Sequence, residues 1–338
     1  MTTSRQVHIL TTGGTIMSRS GPDSSGNADV ASVEEIFPEV NVEGVEYEVK
    51  EVLSKGSANM VDGDWIKIAS AVESSIRSNA DGIVILHGTD TMQYTAAALS
   101  FMISGLRIPV VLTGSMIPMG DQGTDGIGNL KAAIRVAAFA DLAEVCVLFS
   151  ADMSEDHKII IRGTRAKKIH SYDKQAFASV NFDPLGHSSC DEIKLEDWRV
   201  KRSNDRRLKV RSSLNANVCL IKTHPALTNK QVTHFLTGYE GAVIEGTGIG
   251  HVRVDDGLLT AISSFGKPAV LTTQCLYGGE RLGTYAMDKK ILLISNIIPV
   301  RDMLPEVALV KLMWCLAQEE SVKELMLKNV AGEIAHTA

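Results

Sequence analysis

Two short loops rich in glycine and threonine are the segments of this sequence best suited to chemistry. They are residues 12–16 (TGGTI) and residues 87–91 (HGTDT). Adjacent glycines let the backbone turn sharply and bring its N–H groups close to a ligand. Thr15 and Thr89 would present hydroxyls to that ligand, and Asp90 would add a carboxylate. Taken singly, each loop fits a plain turn with a helix cap better than a site.

A third candidate is the basic segment 162–168 (RGTRAKK), which ends at Lys168. Such a run is usually a solvated face, but a lysine beside a buried aspartate can relay protons. Other kinds of site find little support. The sequence has no GxSxG, HExxH or GxxxxGK[ST] pattern, and residues 246–250 (GTGIG) do not match GxGxxG. Threonine hydroxyls are therefore the candidate nucleophiles, and neither a metal nor an organic cofactor is expected.

Short apolar runs alternate with amphipathic stretches through the first half of the chain. Their spacing predicts strands at 7–10, 47–53, 82–86, 109–112 and 145–149, and helices at 64–76, 92–103 and 129–140. This alternation predicts an α/β fold with a doubly wound, mostly parallel sheet and helices on both faces. Ligands bind such sheets outside the carboxyl ends of the strands, where both Gly-Thr loops lie.

A polar stretch between about residues 182 and 211 interrupts this pattern before it resumes. We predict a larger N-terminal domain at 1–195, a linker at 196–212 and a smaller C-terminal α/β domain at 213–338. Lysines and arginines cluster at 194–211, but acidic residues are interspersed. That mixture is typical of a solvated linker.

Composition restricts the class of protein. The 338 residues are 44% hydrophobic and 22% charged, and the net charge is −6, so no overall positive field favours nucleic acid or an anionic membrane. Five cysteines without a CxxC pair do not suggest a disulfide framework. No signal peptide or membrane-spanning run is evident, and we predict a cytoplasmic protein with no membrane partner.

Together, these segments resemble the bacterial-type asparaginases. The TGGTI and HGTDT loops of that family stand intact here, in the expected order. Further matching segments lie at 56–60 with Trp65, 112–115, 176–181 and 272–275. The resemblance extends over nearly the whole chain, and two intact loops make it specific.

The resemblance implies a hydrolase that converts the side-chain amide of asparagine, or of glutamine, to a carboxylate and ammonia. Thr15 would be the nucleophile. A triad would activate the nucleophile or a water molecule and handle the leaving amine: Thr89, Asp90 and Lys168. Asp90 would also anchor the substrate ammonium group. The substrate would be bound by Ser57, Gly88 and Ser115. The resemblance also implies a homodimer or homotetramer, because family sites are completed by a neighbouring C-terminal domain.

Several positions depart from the asparaginase pattern. The family usually carries a tyrosine on a mobile lid after the nucleophile, but no tyrosine occurs between Thr15 and Tyr47. The segment 18–29 is rich in Ser, Gly and Asp, which still fits a lid. His251 stands where many asparaginases have asparagine. Glu245 stands where an allosteric relative has arginine, so allosteric control by asparagine is not expected.

Some of these departures resemble the D-type subunit of the archaeal glutamyl-tRNA(Gln) amidotransferase, which releases ammonia from an amide for a partner protein. The matching segments are 162–165, 245–251 and 302–306. The D-type protein usually carries an extra N-terminal domain, whereas this sequence begins at its first strand, and the loop 115–118 resembles the free-standing enzymes. We therefore place a stand-alone enzyme first and the amidotransferase component second. Only the latter would imply contact with nucleic acid. A non-catalytic asparaginase-like binding protein is the third hypothesis.

Overall fold

The structure is a computed structural model. It describes residues 4–17, 40–152, 156–189, 192–253, 256–286 and 288–335. The chain divides into two compact units. The first contains residues 1–179 and 183–212, and the second contains residues 180–182 and 213–338.

The first unit is built on an eight-stranded sheet. Its order is β11-β10-β7-β6-β5-β3-β1-β2. The strands are β1 (Arg5–Thr11), β2 (Val45–Glu51), β3 (Gly82–Leu86), β5 (Val110–Thr113), β6 (Val145–Ser150), β7 (Lys158–Arg162), β10 (Gly186–Ser188) and β11 (Ile193–Leu195). The five adjacent strands β2, β1, β3, β5 and β6 are parallel. Beyond β6, the strands β7, β10 and β11 each pair antiparallel with the strand before them in the sheet. The predicted mostly parallel sheet is confirmed, and antiparallel strands extend it at one side.

Among the described residues of this unit, three helices cover the sheet: α1 (Asp62–Arg77), α2 (Met92–Met102) and α3 (Gly126–Phe139). The apolar side chains of β1, β3 and β5 alternate, so Val7, Ile9, Val84, Leu86 and Val111 join α3 in one buried cluster. Burial on both faces explains why β3 and β5 are apolar throughout. Two further strand pairs belong to this unit: β4 (Ile103–Ser104) with β12 (Lys209–Val210), and β8 (Ala166–Lys168) with β9 (Phe177–Ser179).

The basic stretch that the sequence predicted as a solvated linker is hydrogen-bonded to the first unit. The Arg202 guanidinium donates to the carbonyls of Asp81, Ala137 and Ala140 at 2.6–2.7 Å. The Arg162 guanidinium lies 2.7 Å from a carboxylate oxygen of Glu144, and the other oxygen accepts a hydrogen bond from the Val200 N–H. Residues of 196–212 therefore help to cap the end of the sheet. Guanidinium groups can do so because one of them satisfies several carbonyls at once.

The second unit has a parallel four-stranded sheet in the order β13-β14-β15-β16. These strands are β13 (Val218–Lys222), β14 (Gly241–Gly246), β15 (Ala269–Thr273) and β16 (Ile297–Pro299). Its helices are α4 (Asn229–Leu236), α5 (Asp256–Phe265), α6 (Asp288–Leu292), α7 (Pro305–Cys315) and α8 (Val322–Leu327). This unit confirms the predicted smaller α/β domain. Within the described residues, no helix is long and apolar enough to cross a membrane.

Candidate functional site

Both Gly-Thr loops lie where the winding of the first sheet changes direction. Among the parallel strands the order is β2-β1-β3-β5-β6, so the chain proceeds to one side after β1 and to the other from β3 onward. Loops that follow adjacent strands diverge at such a point and leave a crevice at the carboxyl edge. The first loop follows β1 and the second follows β3. The sheet topology therefore puts the two segments singled out from the sequence side by side.

Glycines allow the loops to touch through their backbones. Gly14 has φ of +91°, and a Cβ atom there would lie 2.4 Å from the Gly88 Cα. A Cβ on Gly88 would in turn lie 2.6 Å from the Ser57 Oγ. Any larger residue at either position would force the loops apart. Thr15 and Thr89 directly follow these two glycines, so this contact fixes the backbone from which both threonine side chains extend.

The lysine predicted from the basic segment meets the second loop. Lys168, at the end of β8, donates from Nζ to the Thr89 Oγ1 at 2.9 Å and to an Asp90 carboxylate oxygen at 2.8 Å. Thr89 is buried, and the Lys168 side chain is 14% exposed, whereas that of Asp90 is 63% exposed. The contact places the lysine nitrogen where it can take the threonine proton once the amine is neutral, and shielding from solvent strengthens this hydrogen bond.

Ser57 belongs to a short 3-10 helix, Ser57–Asn59, beside the second loop. Its hydroxyl oxygen accepts a hydrogen bond from the Asp90 N–H at 3.2 Å, and its carbonyl accepts one from the Thr91 hydroxyl at 2.8 Å. Ser57 is buried, and its own hydroxyl proton can be donated to a ligand oxygen. These contacts tie the predicted carboxylate-binding residue to the loop that carries Thr89 and Asp90.

Thr15 and Ser115 are positioned through their neighbours in the chain. Thr15 opens a 3-10 helix, Thr15–Met17, and is half-buried, while the next side chain, Ile16, is fully buried and anchors the turn. Gly114 lies against the second loop, since a Cβ there would be 2.3 Å from the His87 carbonyl oxygen. Ser115 is buried, and its hydroxyl forms no hydrogen bond with any residue that the structure describes. All the predicted site residues lie on loops at this edge of the sheet or, for Lys168, in contact with one.

Residues that the sequence did not single out position these loops. The Gln93 side-chain oxygen accepts the Lys168 backbone N–H at 2.6 Å, which fixes the strand that carries the lysine. The Asp125 carboxylate accepts backbone N–H groups of Met116 and Ile117, and Asn129 donates to the Gly114 carbonyl at 2.9 Å. Gln93 lies just beyond the HGTDT motif and is buried on its helix. A polar residue on the buried side of a predicted helix is a signal that could have identified it.

His87 stabilises the second loop from within. Its ring lies 2.7 Å from the Gly88 carbonyl oxygen through Nδ1 and 2.9 Å from the Thr95 Oγ1 through Nε2. Because a carbonyl accepts only, Nδ1 carries the proton, and Nε2 accepts from the Thr95 hydroxyl. The Trp65 indole N–H donates to that same hydroxyl at 3.1 Å. Complete burial lowers the pKa of His87 to about 4, so the ring is neutral near pH 7.

Acidification should destabilise the protein through His87. Its pKa is about 4 in the folded chain and about 6.5 when exposed, so the unfolded chain binds more protons between these values. The stabilising contribution is complete above pH 6.5 and declines as the pH falls towards 4, by about 3 kcal/mol in total. We expect the free energy of unfolding to fall less steeply between pH 7 and pH 4.5 in His87→Gln than in the unmodified chain. Equal slopes in denaturant titrations of the two proteins would contradict this origin of the pH dependence.

The predicted lid segment, 18–29, lies outside the described residues. Among the residues that are described, no three His, Cys, Asp or Glu side chains form a group that could hold a metal ion. What the described site offers is hydroxyls, backbone N–H groups, one ammonium and one carboxylate. This set can bind a polar substrate, activate a hydroxyl and supply a proton.

Comparison with known proteins defines the class. The sequence profile "Asparaginase, N-terminal" matches residues 6–201, and "Glutaminase/Asparaginase C-terminal domain" matches residues 217–326. The chain therefore belongs to the asparaginase family, as its fold and its two Gly-Thr loops indicate.

Similar proteins include amidotransferase subunits and free-standing L-asparaginases. The D-type subunits of glutamyl-tRNA(Gln) amidotransferase from Methanosphaera stadtmanae and Pyrococcus furiosus are 35% and 38% identical to this chain. These matches cover 98% and 97% of this chain and 77% and 76% of the relatives. Among solved structures, the thermostable L-asparaginase of Thermococcus kodakarensis superposes with a TM-score of 0.89 at 34% identity, covering 98% of this chain and all of that one. L-asparaginase I of Vibrio cholerae gives a TM-score of 0.85 at 29% identity, covering 98% and 99% of the two chains.

Proposed function

We propose that this protein hydrolyses the side-chain amide of L-asparagine to L-aspartate and ammonia, with Thr15 as nucleophile. The observation that carries the proposal is the contact of Lys168 with both Thr89 and Asp90, at the carboxyl edge where the loops after β1 and β3 diverge. An amide is a poor electrophile. Its hydrolysis needs an activated hydroxyl, a donor for the developing oxyanion and a proton for the leaving amine.

Each of these requirements has a candidate group in the described site. The Thr15 hydroxyl would attack the amide carbon, and backbone N–H groups of the glycine-rich turns would stabilise the oxyanion. Lys168 and Thr89 would move the Thr15 proton to the departing ammonia as the C–N bond breaks, and water would then hydrolyse the Thr15 ester to release L-aspartate and restore the hydroxyl. Ser57 would hold the substrate carboxylate and Asp90 its ammonium group, with Gly88 and Ser115 shaping the remaining contacts. No step in this scheme draws on a cofactor.

Measurement of ammonia release tests the proposal. The purified chain is incubated with L-asparagine, D-asparagine and L-glutamine, and ammonia is quantified with a coupled dehydrogenase. We expect turnover of L-asparagine. If none of the three amides releases ammonia, the hydrolase proposal fails, and the non-catalytic binding protein takes its place.

The lysine provides a sharper test within the same assay. Lys168→Met removes the ammonium that contacts Thr89 and Asp90, and general acid–base groups of this kind contribute about 10² to 10⁴ in rate. We expect a fall in kcat of this order with a smaller change in KM. Lys167→Met is the matched control, because adjacent strand residues point to opposite faces. Equal losses in the two variants would mean that Lys168 acts through folding alone.

A second function is favoured by the relatives that are D-type subunits of the amidotransferase. In this alternative the same site releases ammonia for a partner protein that modifies a charged tRNA. It predicts copurification with a second protein from the native source and a rise in amide hydrolysis on addition of tRNA. The homodimer or homotetramer, the cytoplasmic location and the division at residues 196–212 stay predictions.

A further inference from the structure

A cavity lined by arginines lies at the edge of the first sheet opposite the Gly-Thr loops. Its volume is about 850 Å³, and its lining includes Arg5, Arg77, Arg107 and Arg202. Arg5 begins β1, and Asp81 directly precedes β3, so the cavity is at the amino ends of the strands whose carboxyl ends carry the proposed site. Asp81 is the one acidic side chain in its described lining.

Arg202 is fixed in place at this cavity. Its guanidinium is held by the carbonyl oxygens of Asp81, Ala137 and Ala140, which satisfy hydrogen bonds without supplying a negative charge. Burial lowers the pKa of Arg202 and the positive charge of Arg5 lowers it further, while the carboxylates of Asp81 and Asp141 partly oppose this shift. The protein thus holds two cations close together in a partly desolvated place, an arrangement that a bound anion would stabilise.

The carboxylates nearby match only part of this charge, since Arg77 is paired with Glu73 at 2.6 Å and Asp141 is shared with Arg199. Both oxygens of Asp81 are used, one by the Arg5 guanidinium at 3.0 Å and the other by the Gln6 N–H at 2.9 Å. Arg107 donates from Nε to the Arg206 carbonyl at 2.6 Å, and its two terminal nitrogens form no hydrogen bond with any described residue. Arg107 is exposed, so these donors are open to a ligand.

We propose that this cavity binds a small polyphosphate, either free or carried by a nucleotide. Guanidinium groups bind phosphate oxygens through paired, charge-assisted hydrogen bonds, and several of them together suit a ligand with several phosphates. The cavity has the volume typical of small-molecule sites, whereas a nucleic-acid backbone is followed by an open groove or stripe. Ile108 and Leu208 add apolar surface to the lining, against which a nucleobase can pack.

Calorimetric titration of the full chain with ATP and with inorganic tripolyphosphate at low salt tests the proposal. We expect one binding site per chain. Arg107→Glu should weaken binding at least about tenfold, because the loss of a charge-assisted hydrogen bond amounts to about 1.4 kcal/mol or more. Arg253→Glu, an exposed arginine of the second unit, is the matched control, and there the affinity should change less than about twofold. Circular dichroism of both variants verifies that they are folded.

The two probes separate the possible sources of the phosphate. Tighter binding of ATP than of tripolyphosphate would indicate a nucleotide, and equal binding would indicate a free polyphosphate; either result supports the site. Failure of both probes to bind would overturn it, as would equal weakening in Arg107→Glu and Arg253→Glu. Binding of an RNA oligonucleotide through Arg107 with no binding of either probe would also overturn it in favour of a nucleic-acid surface. Because Arg107 is outside the proposed hydrolytic site, this outcome is independent of ammonia release.

Discussion

Thr15→Ala should abolish amide hydrolysis, with kcat lowered by about 10⁴-fold or more, the scale seen when a nucleophile is removed from a covalent mechanism. Thr15 is half-buried at the start of a short 3-10 helix, directly after the glycine that touches Gly88. The neighbouring Ile16, which is fully buried, supplies the anchor of this turn. The loss should therefore appear in kcat rather than in stability.

The control for this prediction is Thr15→Ser, which keeps the hydroxyl and should retain a measurable fraction of the activity. The assay is ammonia release from L-asparagine at saturating concentration, with the free energy of unfolding measured in parallel. If Thr15→Ala turned over L-asparagine as fast as the unmodified chain, Thr15 would not be the nucleophile. Membership of the family would be unaffected. Loss of activity in both variants together with loss of stability would show that Thr15 serves the fold.

The second large effect concerns a buried ion pair in the second unit. Lys311 on α7 donates to a Glu333 carboxylate oxygen and to the carbonyls of Met326 and Lys328, and both charged side chains are fully buried. Glu333 also accepts the backbone N–H groups of Val330 and Ala331. Burial lowers the pKa of Lys311 while the charge of Glu333 opposes this shift, because desolvation disfavours an ammonium that has no partner.

Glu333→Gln should consequently destabilise the second unit by about 3–5 kcal/mol, the usual cost of leaving one member of a buried pair uncompensated. Glu240→Gln is the matched control, because Glu240 pairs with Lys267 at the surface, where such pairs contribute about 1 kcal/mol or less.

Hydrogen exchange of the amides of α7 measures the local effect without assuming that the two units unfold together. Equal protection of the α7 amides in Glu333→Gln and Glu240→Gln would mean that the charge of the buried pair adds nothing to stability beyond its hydrogen bonds. The double variant Lys311→Met with Glu333→Gln should recover part of the loss, since no charge is then left buried alone.

The sequence predicted the parallel core well because burial on both faces imposes a readable pattern. Gly82–Leu86 and Val110–Thr113 are strands with almost no polar side chain, and the helix after the second loop shows an alanine-rich run. When such runs alternate with segments of helical spacing, a parallel sheet covered by helices is the architecture that buries them. The two Gly-Thr loops were found for the same reason, since each marks the place where an apolar strand stops.

The polar stretch at 182–211 carries a weaker sequence pattern. It contains the short strands Gly186–Ser188 and Ile193–Leu195, and it holds Arg202 against carbonyl groups of other segments. Short edge strands carry too few residues for a period to stand out. Charged residues in a sequence also do not show whether they face water or backbone carbonyls. The interpretation as a solvated linker followed from composition, and only the contacts show how these residues are used.

By itself the sequence determined the fold class and the family, together with the loops that bear Thr15, Ser57, Thr89 and Asp90, because these depend on local pattern and motif. The tertiary structure decided which groups meet. Lys168 contacts Thr89 and Asp90 because Gln93 holds its strand, and Gly14 contacts Gly88 because β1 and β3 are neighbours at the point where the sheet changes direction. Contacts between residues far apart in the chain depend on strand order and on close packing of backbones, and neither is encoded in the spacing of residue types along one segment.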